Sequence, residues 1–145
     1  MRFMMLMIPG AYQGAEGQKA GADFAPSLDD MQEMMKFNEQ LAKSGNLILL
    51  DGLHPPSMGA RVSFKGGKPM VVDGPFAESK EVLGGFWIIN ARSKEEAVEW
   101  ARRVPAKEDD VIEVRQIFDM EEFPEDVQKK VNTELVKHAM KKGKS

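Results

Sequence analysis

Phe3-Met4-Met5-Leu6-Met7-Ile8 is apolar at every position and stops at Pro9. A strand with one wet face would alternate. This run instead predicts a central β-strand covered on both faces. Phe86 to Asn90 reads the same way. Leu47 to Leu50 is a shorter apolar run, closed by Asp51-Gly52-Leu53-His54-Pro55-Pro56, whose prolines cannot donate to a ladder. Val111 to Phe118 alternates in part, with Glu113 and Arg115 on one face and Ile112 and Val114 on the other.

Two helices fall between these strands. Ser27 and Asp30 form an S-x-x-D start signal. Met31, Met34, Met35, Asn38, Leu41 and Ala42 then recur at spacings of three and four, the stripe of an amphipathic helix ending near Ser44-Gly45. Ser93 and Glu96 form an S-x-x-E capping box ahead of a helix that carries Ala97, Trp100, Ala101 and Val104 on one face and stops at Pro105. The order βαββαβ predicts an α+β, ferredoxin-like fold, a four-stranded antiparallel sheet with two helices on one side.

Three additions decorate this frame. Gly10, Gly14, Gly17 and Gly21 lie in a polar stretch that reads as a flexible loop, with a mobile loop over the sheet end as its second reading. Arg61 to Phe64 and Met70 to Val72 flank Lys65-Gly66-Gly67-Lys68, which predicts an inserted small hairpin closed by a two-residue Gly-Gly turn. Pro124 opens an extra C-terminal helix with the stripe Val127, Val131, Leu135 and Ala139. The chain therefore divides into a domain over residues 1–122 and a helical extension over 123–145. Two helices cover one sheet face only, yet Phe3 to Ile8 and Phe86 to Ile89 are apolar on both. The second face needs a cover, from a partner subunit or from the tail helix.

Composition narrows the function. At 145 residues and 42% apolar the chain is one domain with an ordinary core. It has no cysteine, which excludes disulfides, thiol catalysis, iron–sulfur clusters and zinc fingers. A net charge of -3 argues against nucleic acid or an anionic membrane as partner. The ferredoxin-like order is shared with the RNA recognition motif, but no RNP-like aromatic strand is present. No segment reaches the ~18–20 apolar residues of a membrane span. The opening apolar run ends at Pro9 without a cleavage site, so a cytoplasmic location is expected. The glycine-rich loop matches neither G-x-G-x-x-G nor G-x-x-x-x-G-K-[ST], and no G-x-S-x-G or H-E-x-x-H occurs. No metal and no cofactor is expected.

The stretch Val72-Asp73-Gly74-Pro75-Phe76-Ala77-Glu78-Ser79-Lys80-Glu81-Val82-Leu83-Gly84-Gly85-Phe86 resembles the signature of the DGPF branch of the YCII-related (YciI-like) family. Arg2-Phe3-Met4, Gly52-Leu53-His54-Pro55-Pro56, Ala97-Val98-Glu99-Trp100-Ala101 and Val111-Ile112-Glu113-Val114-Arg115 fit it as well. The likeness spans roughly residues 1 to 120. It implies a domain that dimerises through its sheets as a dimeric α/β-barrel, in agreement with the uncovered face. It also implies a family of largely unassigned function, for which a mechanism with a helix histidine and an aspartate has been suggested. Association with extracytoplasmic-function sigma factors is a further implication. The Ser27 to Ser44 helix has no histidine; Met31, Met34 and Met35 stand in its place.

The residues themselves offer a modest chemistry. Asp73-Gly74-Pro75-Phe76 is first a turn, since aspartate accepts backbone hydrogen bonds and Gly74 permits positive φ. Its second role is a carboxylate presented at a strand end. His54 carries an imidazole, a group suited to proton transfer, but in a proline turn it reads first as a surface residue. His138 reads as surface too. Arg61 and Arg115 suit an anion, or more simply a pair with Glu113. Glu78, Lys80 and Glu81 are first exposed ion pairs and second a clamp for a polar ligand. The methionine stripe is first core packing and second an adaptable pocket. Trp87 and Trp100 read as packing anchors.

The expectation is a homodimeric small-ligand-binding or accessory regulatory protein, with Arg61, Pro75, Phe76, Glu78 and Lys80 at the ligand. The alternative is a small enzyme with Asp73 as general base, His54 as acid or orienting group, and Arg61 as anion holder.

Overall fold

A computed structural model describes residues 1–17, 19–76, 81–131 and 137–138 of the chain. The strands are β1 (Arg2–Ile8), β2 (Leu47–Gly52), β3 (Ala60–Ser63), β4 (Met70–Asp73), β5 (Gly85–Asn90) and β6 (Val111–Gln116). The helices are α1 (Gly14–Gly17), α2 (Leu28–Lys43), α3 (Lys94–Arg102) and α4 (Glu125–Val131). Four strands form one sheet in the order β2-β5-β1-β6, and every neighbouring pair is antiparallel. This α+β architecture is consistent with the ferredoxin-like arrangement, in which the two all-apolar runs, β1 and β5, take the centre.

Period-two alternation separates the faces. Phe3 and Met5 of β1 pair with Ile89 and Trp87 of β5, and all four are buried beneath α2 and α3 with Phe37, Leu41, Ala97 and Val104. The Trp87 indole donates to Asn38 Oδ1 at 2.8 Å, so the polar atom this core encloses is satisfied. On the opposite face Met4 lies against Ile88 and Leu6 against Phe86, and these four remain half-buried rather than sealed. β2 joins β5 with a register shift between Leu47 and Leu49, which keeps Leu47 and Leu50 on the core side and turns Leu49 outward.

The methionine stripe is a revised element. The core face of α2 is Met34, Phe37, Asn38 and Leu41. Phe37 belongs to this i, i+3, i+4, i+7 row, whereas Met35 and Ala42 lie one position round the helix and are exposed. Met31 is on the right azimuth but one turn beyond the core cluster, and it is also exposed.

The helix starts differ in detail from expectation. Ser27 Oγ accepts from Asp30 N at 3.1 Å, and Ser93 Oγ from Glu96 N at 3.1 Å. Glu96, however, accepts from Arg92 N at 2.6 Å, one residue before the cap, so the Ser93 box is half made. A full capping box forms instead at Asp119 and Glu122, opening a short 3-10 turn ahead of α4.

The inserted hairpin is present, with Ser63 opposite Met70 and Ala60 opposite Asp73. Its connection is not a two-residue turn. Residues 64–69 intervene, and Gly66 and Gly67 both take positive φ, at 71° and 79°. Consecutive glycines therefore do mark the reversal, but inside a longer loop with a 3-10 turn at Lys65–Gly67. The Val127 to Ala139 stripe continues past α4 into residues that lie outside the described ones.

Candidate functional site

The loop from Pro9 to Pro26 is tied down at several points. It contains a 3-10 turn at Gly10–Tyr12 and the single turn of α1. The Gln13 side chain acts as a piece of strand: its Nε2 donates to the carbonyls of Pro9 (2.8 Å) and Val82 (2.9 Å), and its Oε1 accepts from Val82 N (3.0 Å). Gly10 N donates to Asp110 Oδ1 at 2.9 Å. Buried Tyr12 donates its hydroxyl to the Leu53 carbonyl at 3.2 Å, and burial raises its pKa. Phe24 meets the Tyr12 ring edge-on, 5.3 Å between centroids. Ser57 donates to the Ala20 carbonyl. A flexible loop is thus replaced by an anchored cover over the C-terminal end of β1.

Under this cover lies a cavity of about 570 Å³. β1 contributes Met7, with Pro9 just beyond it; the loop contributes Ala11, Tyr12, Phe24, Ala25 and Pro26. The first turns of α2 contribute Ser27, Asp30, Met31, Met34 and Met35. Gly84 and the segment after α3, with Pro105, Lys107 and Asp110, complete the wall. The volume falls in the ~300–1,000 Å³ range of small-molecule sites. The lining is apolar apart from Ser27, Asp30, Lys107 and Asp110.

Those polar residues form a chain along one edge. Lys107 Nζ donates to Asp30 Oδ2 at 2.8 Å, joining α2 to the segment before β6. The Lys107 ammonium, with the Ser27 cap behind it, holds the Asp30 carboxyl below the usual carboxylate range, and Asp30 in turn raises Lys107. Asp110 accepts from Gly10 N and, at 2.8 Å, from Lys107 N. Asp30 and Lys107 are substantially exposed, so water screens their attraction.

The residues singled out from sequence sit elsewhere. Asp73 ends β4 and His54 precedes Pro55; both side chains are exposed and neither lines this cavity. Their chain segments do meet, because Gly74 packs on the Pro56–Gly59 turn. Gly74 N donates to the Gly59 carbonyl at 2.9 Å, and a Cβ on Gly74 would stand 1.8 Å from the Pro56 carbonyl oxygen. Gly74 does not take the positive φ that the turn reading invoked; what the position requires is the absence of a Cβ. Arg61 and Phe76 are brought together, the guanidinium 4.1 Å from the ring centroid. Pro75 is exposed. Glu78 and Lys80 lie outside the described residues. Arg115 approaches Glu113 on its own strand at 4.0 Å, and Trp87 and Trp100 both serve packing.

Among the described residues no group of three or more His, Cys, Asp or Glu is placed to hold a metal ion, and no helix is long and apolar enough to cross a membrane. The cavity draws on the methionine stripe in its second reading, as an adaptable pocket, and adds Lys107 and Asp110, which sequence reading did not single out. The available signals were three methionines in five positions at a capped helix start, and the charges Lys107 to Asp110 next to a proline stop.

Comparison with known proteins places this architecture. A model of the YCII-related domain matches residues 1–121. The chain belongs to the YCII-related (YciI-like) family. This YCII-related chain is also 35% identical over 72 residues to an uncharacterized protein of Rhizobium meliloti (strain 1021), covering 50% of the chain and 58% of that relative. The match thus spans little more than half the relative's length.

Proposed function

We propose that this YCII-related protein binds a small organic ligand in the cavity between the first turns of α2 and the Pro9–Pro26 cover. The cavity itself carries the reading. Its size suits a metabolite, its methionines suit varied apolar shapes, and polar groups sit along one edge to orient a ligand. Membership of the DGPF branch belongs to the same reading and is supported by the resemblance of the Asp73-Gly74-Pro75-Phe76 motif. Accessory regulation beside a sigma factor in the cytoplasm is the role that the family resemblance adds.

The working form is a homodimer. The face of the sheet away from the helices presents Met4, Leu6, Phe86 and Ile88, with Leu49 exposed beside them. A second copy seated there buries both faces and closes the two sheets into an α/β-barrel.

Met31→Trp tests the cavity, because it fills the space from an exposed helix position without touching the core cluster. The native chain is expected to bind the fluorescent apolar probe 1-anilinonaphthalene-8-sulfonate or to gain melting temperature with members of a metabolite panel. The variant is expected to lose both at unchanged intrinsic stability. Binding untouched by Met31→Trp would contradict the assignment.

A further inference from the structure

We propose that the cavity takes a small organic cation, an amine carried on an aromatic or aliphatic body. This rests on the cavity reading above and adds the sign of the ligand's charge. The body is set by Met31, Met34, Tyr12 and Phe24, which offer polarizable sulfur and two rings in edge contact. The charge is set by the rim. The first turn of α2 carries Asp29 and Asp30. From the segment after α3, Lys107 and Asp110 line the cavity. Lys107 is the basic residue of these two segments, and its ammonium is already held by Asp30 at 2.8 Å. In the cover, Lys19 is likewise engaged, by Glu16 at 3.0 Å. The charged residues of the lining are Asp30, Lys107 and Asp110, two carboxylates against one ammonium, so its excess charge is negative.

The start of α2 points the other way, since a helix N-terminus favours anions. That preference is already answered here. Ser27 Oγ takes the Asp30 N–H, and Asp29 and Asp30 supply negative charge in the first turn. Asp110 accepts from two backbone N–H groups, those of Gly10 and Lys107. An incoming ammonium would meet carboxylates beside aromatic side chains; an incoming carboxylate would have to displace Asp30 from Lys107.

Three probes of one shape separate the outcomes: phenethylamine, 2-phenylethanol and phenylacetate, titrated into the full chain at low salt with ligand-observed NMR. Phenethylamine is expected to bind about tenfold more tightly than phenylacetate, with the alcohol between, and the gap narrows at high salt. Asp30→Asn releases Lys107 and is expected to close or reverse the gap. Asp110→Asn leaves the Lys107–Asp30 bridge in place and is expected to weaken the amine while leaving the alcohol unchanged. Equal affinities, or phenylacetate tightest, would overturn the cationic assignment and keep the cavity. Binding of none of the three would overturn both.

Discussion

Gly74 shows what a single position decides. Without a side chain, residue 74 can lie on the Pro56 carbonyl, and that contact closes the base of the hairpin. Gly74→Ala must push backbone apart, and the expected cost is about 1–3 kcal/mol, the range of overpacking. Chemical denaturation reads it; an unchanged midpoint would show that the contact gives way freely. Asp30 and Lys107 make a second prediction, in pH. A carboxyl held below its ordinary range contributes stability above that range and loses it as the pH falls through its lowered value. A raised lysine contributes below its ordinary value and loses it as the pH rises through the raised one. The bridge therefore contributes evenly across neutral pH and fades at both extremes. In Lys107→Met, an NMR titration should find Asp30 moved back up toward the ordinary carboxylate range. No movement would deny that Lys107 is the main cause.

Elements were legible where one physical cause dominates. β1 and β5 announce themselves because both their faces are apolar. α2 and α3 announce themselves through Ser27 and Ser93, whose hydroxyls do cap them. Ser27→Ala should cost about 1 kcal/mol in denaturant unfolding; no loss would mean that α2 is held by packing alone. The loop over the sheet end was legible as a second reading, but its anchoring was not. Its order comes from Gln13 imitating a strand toward Val82, a pairing across 69 residues that no local pattern encodes. Gln13→Ala should speed amide exchange over residues 10–17 while leaving β1 and β5 protected. Uniform exchange before and after would remove Gln13 as the anchor. The methionine stripe was half legible. Helical spacing found Met34, Asn38 and Leu41, but spacing alone does not show where the sheet ends. Met31 and Met35 pass that end, and so they line a cavity instead of the core.

At the scale of the whole molecule the sheet has one face beneath helices and one face of half-buried apolar side chains. The homodimer proposal follows from that asymmetry. Ile88→Lys places a charge in the middle of the outward face, beside Met4 and Leu49. Light scattering should report two chains for the native protein and one for the variant. A native mass of one chain would remove the dimer and leave the cavity standing, because every lining residue of the cavity comes from a single chain.

The eleven methionines offer the most direct test of the cavity. Their methyl groups, labelled with carbon-13, give one NMR signal each. Titration with a bound small molecule should move the signals of Met7, Met31, Met34 and Met35 and leave Met58 and Met70 in place. Shifts confined to Met58 and Met70, near the hairpin and the Asp73 turn, would contradict the account and move the site there.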